Sequence, residues 1–308
     1  MSAQSPRCRR AFCHEISMST YADLQKIYVE ATVTWPDNHL YCLADHAGMP
    51  GLLRELDASG IAWTSLFDGS RERNALEVAP LLFPLDEESN KEYSHLLRWV
   101  EEHGTYTSSM LLISSSLNKA ELSRRLAQRL DAQVSEKMNV MLRYFDPRIF
   151  EALLTVLNES QRDVFLSVAD CWWYFDRSGK EVRQAASHEL VDRFEAPLVL
   201  TAEQEFALLD ASEADQVAAQ LREMMPDQYL QIPLPQQHAF IIRHMAAARE
   251  VGVVATHELS LYCGLALLYG EDFALTPHWQ RLLQRVSSGQ VSLSDAVANE
   301  DGEVEYAA

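Results

Sequence analysis

The order of hydrophobic patterns along the chain limits its fold more than any other feature. Between residues 39 and 185, apolar runs of strand length alternate with segments whose apolar residues recur at helical spacing. The strand-like runs are 39–44, 62–67, 81–85, 109–114, 139–145, 171–175 and 181–186. Strands separated by helices are typical of an α/β layer. We therefore predict an α/β N-terminal lobe with a mixed sheet.

Residues that favour helix ends mark several helices within this lobe. Gly60 is a suitable residue to end a short helix over 50–59, and Asn118 is a natural N-cap. The helix that follows Asn118 should carry an apolar stripe, with Arg124, Arg125 and Arg129 away from it. The stripe residues are Leu122, Leu126, Leu130 and Val134.

The pattern changes after Pro197. Thr201 and Gln204 have the spacing of a capping box, and Ser212 is suited to begin a second helix. Further helices are predicted over 236–249, 256–269 and 277–286, with no convincing strand after residue 201. We predict an all-α C-terminal lobe. The resulting domains are a disordered leader 1–20, an α/β domain 21–197, a helical lobe 198–294 and an acidic tail 295–308.

Charge and glycine content exclude several classes of protein. The chain has 45 acidic and 26 basic residues, a formal charge of −19, and only 11 glycines in 308 residues. An acidic excess opposes binding to nucleic acid or anionic membranes, because affinity for them comes from Lys and Arg. No Gly-x-Gly loop is present to approach a phosphate. We expect no nucleotide cofactor and no nucleic-acid partner.

The cysteines and the apolar stretches indicate a cytoplasmic protein. The five cysteines are scattered without a C-x-x-C pair, so the sequence predicts neither a zinc site nor a disulfide framework. The longest apolar stretch, 259–270, is too short to cross a bilayer. We therefore expect reduced thiols and no membrane insertion.

No catalytic motif is recognisable. A G-x-S-x-G elbow is absent, and Ser114, Ser115 and Ser116 are weak candidates for a nucleophile. His257 and Glu258 begin an H-E-x-x-H pattern, but Leu261 stands where the second histidine belongs. We predict no catalytic residue, no metal site and no cofactor.

The most specific segment is Arg143-Tyr144-Phe145-Asp146-Pro147-Arg148. Asp146 is suited to cap the helix that Pro147 begins, because proline at the first helical position loses no needed donor. Arg143 and Arg148 bracket the acid, so an Arg–Asp–Arg cluster is expected to fix the strand to the helix.

This segment resembles the R-F-Y-D-P-R signature of the adaptors of bacterial type VI secretion (Tap/TEC adaptors), with the aromatic pair reversed. Other pieces occur in the order of that family over residues 38–185. They are Leu40 to Asp45, Trp63, Leu66-Phe67, Leu81 to Leu85, Ser114 to Leu117 and Trp172 to Phe175.

The resemblance implies a cytoplasmic, non-enzymatic adaptor that binds an effector toxin and loads it onto the VgrG spike, often through a PAAR or other linking domain. The signature is then architectural. The alternatives are an immunity-type or scaffold binding protein, or an enzyme with an unrecognised hydrolase site.

Aromatic side chains in both lobes are the candidates for a partner surface. Trp172, Trp173 and Tyr174 alternate sides of one strand, and Tyr262, Tyr269 and Trp279 lie in the helical lobe. If helices cover both faces of the sheet, the strand aromatics are core; if one face is open, they form a binding patch.

Overall fold

A computed structural model describes residues 21–85, 91–105 and 107–298 of the chain. The predicted leader 1–20 lies outside the described residues, as does the predicted acidic tail from residue 299 onward. The chain divides into two compact units, one ending at Leu208 and the other beginning at Leu209. The α/β character of the first and the helical character of the second confirm the predicted fold class.

The described residues of the first unit contain two sheets. Six strands make the main sheet, in the order β2-β3-β1-β4-β7-β8, and every neighbouring pair is antiparallel. These strands are β1 His39–Asp45, β2 Thr64–Ser65, β3 Pro80–Pro84, β4 Met110–Ser115, β7 Cys171–Phe175 and β8 Glu181–Ala185. The small sheet, in the order β6-β5-β9, joins β5 Asp131–Gln133, β6 Asn139–Met141 and β9 Leu198–Val199. Its parallel pair, β5 with β9, makes the architecture mixed.

In the described part of this unit, one helix precedes the first strand and five others connect strands. They are α1 Tyr21–Thr34, α2 Leu52–Ser59, α3 Lys91–Gly104, α4 Lys119–Gln128, α5 Pro147–Val156 and α6 Glu159–Leu166. Every residue of β4 is buried, as is every residue of β7, so both faces of the sheet centre are covered. This explains why the central strands are continuous apolar runs rather than alternating ones.

Capping residues and glycines in the sequence predicted most of the helix ends correctly. Asn118 caps α4 by accepting a hydrogen bond from the Glu121 amide at 3.1 Å, and Gly60 follows α2 with φ of +69°. The predicted length of α4 was wrong, since the helix ends at Gln128 and the chain enters β5. Leu130 and Val134 therefore lie beyond the helix, although Leu130 is buried in the core.

The second unit has its own hydrophobic core. Its helices are the remainder of α7 Ala202–Met224, α8 Pro226–Tyr229, α9 Leu234–Glu250, α10 Thr256–Tyr269, α11 Pro277–Ser287 and a last helical stretch 293–298.

The capping box at Thr201 and Gln204 is confirmed, with backbone-to-side-chain bonds of 3.2 and 3.0 Å. The prediction that Ser212 begins a second helix was wrong: α7 is continuous, and the Ser212 hydroxyl donates to the Leu209 carbonyl.

Candidate protein-binding site

The Asp146 side chain performs the capping role that its sequence position predicts. It accepts a hydrogen bond from the Arg148 amide at 2.9 Å, and Pro147 is the first residue of α5. The Arg148 guanidinium then donates to both carboxylate oxygens, at 2.9 Å from Nε and 2.6 Å from Nη2. The buried Asp146 carboxylate thus caps the helix and also forms a bidentate ion pair with Arg148. A bidentate contact between arginine and a carboxylate is stronger than one through a single hydrogen bond.

The other arginine of the signature has a different partner from the one predicted. Arg143 donates to Asp45 at 2.8 Å, and the structure records no such bond from Arg143 to Asp146. The expected Arg–Asp–Arg cluster is therefore two separate pairs, and the Asp45 pair ties the segment before α5 to the end of β1. Burial raises the pKa of Asp45, and this outweighs the lowering effect of Arg143.

The aromatic pair of the signature belongs to the core. Tyr144 and Phe145 are fully buried, and the Tyr144 hydroxyl donates to the Leu126 carbonyl at 2.8 Å. The Tyr144 ring packs edge-on against Phe165, with centroids 5.2 Å apart. Burial raises the pKa of the Tyr144 hydroxyl, so it remains a neutral hydrogen-bond donor. Four of the six signature residues are thus buried, and their contacts are architectural.

The strand aromatics do not form a surface. Trp172 and Trp173 have no exposed area and Tyr174 is 5% exposed, so the alternative of an open binding patch on this strand is wrong. Helices and loops cover them; for example, Trp35 packs edge-on against Trp173 at 6.0 Å.

One of the three aromatics predicted in the helical unit is available to a partner. Tyr262 and Trp279 are buried, whereas Tyr269 is 60% exposed. The Tyr269 ring packs against the Trp279 ring, with centroids 5.3 Å apart. Leu268 and Leu275, close to it in the chain, are also exposed. We call Leu268, Tyr269 and Leu275 the apolar surface group of the second unit.

Arg125 and Arg129, which the sequence places away from the apolar stripe of α4, are both buried in the first unit. Arg129, with no exposed area, pairs with both oxygens of Asp192 at 2.9 Å and donates to the Phe165 carbonyl at 2.7 Å. Arg125 donates to the carbonyls of Glu189 and Leu190. Together they hold the irregular segment 186–197 against α4. The spacing of the apolar stripe does not predict this burial, because the partners of both arginines are distant in the chain.

A cleft of about 660 Å³ opens beside the small sheet. Its walls come from the loop after β2, the end of α4, the strands β5 and β6, and the cis-linked Ala196 and Pro197. The sequence does not predict this cleft, because the segments that line it are far apart in the chain. The residues that line it are Leu66 to Glu72, Ala127, Gln128, Leu130, Asp131, Asn139 to Met141, Ala196 and Pro197.

Among the described residues, Ser116 and His188 form the polar pair that most resembles part of a catalytic centre. Ser116 Oγ lies 3.1 Å from His188 Nδ1, but within the described residues no group bonds the other ring nitrogen, Nε2. A serine nucleophile needs its histidine oriented by a third group, usually a carboxylate. The described residues also contain no group of three side chains able to hold a metal ion. No helix in the described ranges combines the length and hydrophobicity needed to cross a bilayer.

Residues 40–164 match a known family model. Its description is "Domain of unknown function (DUF4123)", which states no activity. The DUF4123 match begins within β1 and ends within α6, so it contains Asp45 and all of residues 143–148. No curated protein and no solved structure matches the chain.

Proposed function

We propose that the protein is a non-enzymatic adaptor that binds a type VI secretion effector in the cytoplasm and loads it onto the VgrG spike, without a cofactor. The observation that carries the proposal is the signature at residues 143–148, which lies inside the DUF4123 match. That family is known from type VI secretion effector adaptors.

The contacts of the signature support an architectural role for this segment in the proposed adaptor. Asp146 caps a helix and holds Arg148, Arg143 holds Asp45, and Tyr144 is buried as a hydrogen-bond donor. Each polar group is used internally. The segment therefore builds the domain and leaves recognition to other surfaces.

The apolar surface group of the second unit is one such surface. Leu268 is 55% exposed, Tyr269 60% and Leu275 69%. An exposed tyrosine is a candidate anchor, because aromatic side chains are enriched among the residues that contribute most of the binding free energy at protein interfaces.

Co-expression with a candidate effector and a VgrG spike protein tests the proposal. We expect a tagged adaptor to co-purify with both, and deletion of the adaptor gene to abolish effector secretion. Tyr269→Ala should weaken capture of a partner by roughly tenfold or more, the cost of losing an interface anchor. Leu230→Ala is the matched control, since Leu230 is exposed in the same unit but outside the apolar surface group.

Other outcomes would favour the rival functions. Protection of cells that express the toxin, with secretion unaffected by the deletion, would indicate an immunity-type binder. Hydrolase activity that Ser116→Ala abolishes without loss of fold would indicate an enzyme. Failure of both partners to co-purify, with normal secretion, would refute the adaptor proposal.

A further inference from the structure

We propose that the outer edge of β6 binds an extended, basic segment of a partner protein by β-strand addition, with the neighbouring cleft receiving its side chains. The inference rests on the proposed function only for the partner's identity. The site itself follows from the strand register, the cleft and the local charge.

The register shows which backbone groups of β6 are available. The β5–β6 pairing sets Asp131 opposite Met141 and Gln133 opposite Asn139. Inter-strand bonds run from the Val134 amide to the Met138 carbonyl and from the Leu142 amide to the Leu130 carbonyl. In an antiparallel pair the intervening residues direct their N–H and C=O groups away from the partner strand.

Asn139 and Met141 therefore each present one donor and one acceptor at the outer edge of the small sheet. Apart from the bonds of the strand ladder itself, the structure records no hydrogen bond from either amide to the backbone of another described residue. Backbone groups arranged in this way are a template for another strand.

The contrast with β8, an edge of the main sheet, supports a binding role for β6. β8 carries charged side chains, including Glu181 and Arg183, which pair with Lys26 and Glu30 of α1. Charges on an edge strand discourage pairing with another chain. The three residues of β6 are Asn, Val and Met, without a charge among them.

The cleft adjoins this edge. All three residues of β6 line it, opposite the loop 66–72. Met141 is 40% exposed and Met138, just before the strand, is 58% exposed. Methionine side chains adapt to different apolar surfaces, so these two can pack against alternate side chains of an added strand.

The charge of the cleft indicates which charge a bound segment should carry. Three carboxylates line it, those of Asp68, Glu72 and Asp131, against one guanidinium, Arg71. No ion pair joins any of these four side chains to another residue in the described part of the chain. The chain as a whole carries −19. An extended segment that alternates apolar and basic residues complements both the edge and the walls.

A synthetic peptide tests the site without any natural partner. The probe is fluorescein-labelled KVKVKVKVK, titrated with the full-length protein and followed by fluorescence anisotropy. We expect saturable binding, and no binding of EVEVEVEVE. A KVKVKVKVK peptide N-methylated at alternate residues keeps its charge but lacks half of its backbone donors, so it should bind at least about tenfold more weakly.

Substitutions then locate the binding. Met141→Pro removes the outward amide while leaving the bonds to β5, and it should weaken KVKVKVKVK binding by roughly tenfold; Met141→Ala, which keeps the amide, should weaken it less. Asp68→Asn, Glu72→Gln and Asp131→Asn together should weaken binding. Glu77→Gln, Glu102→Gln and Glu223→Gln, at exposed acids outside the cleft, form the control with the same change in charge.

Equal binding of the methylated and unmethylated peptides would overturn the proposal, and that result needs no variant to fold. Equal losses from the cleft and control triple variants would also overturn it, because the attraction would then be the general charge. Peptide binding that depends on β6, in a protein that captures neither effector nor spike, would retain the site and refute the adaptor function. Adaptor activity without peptide binding would do the reverse.

Discussion

At the scale of single residues, Asp146 shows how one side chain can serve both a helix and an ion pair. It caps α5 and holds Arg148 from a position only 6% exposed. Asp146→Ala should lower the free energy of unfolding by about 1–2 kcal/mol, since the amide loses its cap and Arg148 loses its partner. Urea denaturation measures this directly.

Asp146→Asn separates the two roles, because asparagine caps as well as aspartate but carries no charge. We expect its loss of stability to be smaller than that of the alanine variant. Equal losses would show that the charge pair with Arg148, rather than the cap, stabilises this helix start.

The pKa of Glu121 links the stability of the folded protein to pH. Hydrogen bonds from Arg124 and then Arg125 lower its pKa from 4.5 to about 2. A carboxyl whose pKa falls on folding stabilises the native state above its unfolded pKa, and this contribution is lost as the pH falls through the folded pKa. Stability should therefore decrease between pH 4.5 and about 2. Glu121→Gln should flatten that part of a denaturation profile; an unchanged slope would assign the acid sensitivity to other carboxyls.

At the scale of elements, hydrogen bonds from buried arginine side chains hold the irregular segment 186–197 in place, as backbone hydrogen bonds hold the strands of a sheet. Arg129 contacts Asp192 and the carbonyls of Arg125, Val164 and Phe165. Arg129→Met should reduce the free energy of unfolding by about 3–5 kcal/mol, because Asp192 is left with an uncompensated charge.

The double variant Arg129→Met with Asp192→Asn is the control for that charge. It removes the orphaned carboxylate, so part of the lost stability should return. The carbonyls that Arg129 bonded stay without their donor, so the recovery should be incomplete. A double variant no more stable than Arg129→Met would show that the carbonyl bonds carry the effect.

The elements that sequence analysis predicted are those whose signals are local. β4 as far as Ile113 and the whole of β7 are continuous apolar runs, and α4 and α5 begin at capping residues. The two-residue strand β9 and the early end of α4 have no local signal. They are set by long-range contacts, such as the bond from the Leu142 amide to the Leu130 carbonyl.

The same distinction applies to the candidate sites. The architectural role of the signature was predicted because capping and proline preferences act within one turn. Neither the partner of Arg143 nor the cleft beside β6 was predicted, because each joins segments that are distant in the chain. Tyr269 and Trp279 were equivalent in the sequence, and only packing separates the exposed ring from the buried one.

At the scale of the whole molecule, each unit has a hydrophobic core of its own and offers a different kind of surface. The first unit offers the outer edge of β6 with an acidic cleft beside it, and the second unit offers the apolar surface group. If the protein is an adaptor for two partners, we expect Met141→Pro and Tyr269→Ala to impair capture of different partners. Loss of the same partner in both variants would place both surfaces in one interface.

The net charge of −19 makes a prediction about the rate of encounter. A surface with this charge attracts basic partners over a distance of about one Debye length, ~10 Å at 0.1 M salt. The association rate constant for a basic effector should therefore fall by about tenfold or more when salt is raised from ~0.05 to ~0.5 M, with a smaller change in the dissociation rate. Stopped-flow fluorescence at several salt concentrations separates the two rates. An association rate independent of salt would mean that the acidic excess contributes to solubility alone, and that short-range apolar contacts select the partner.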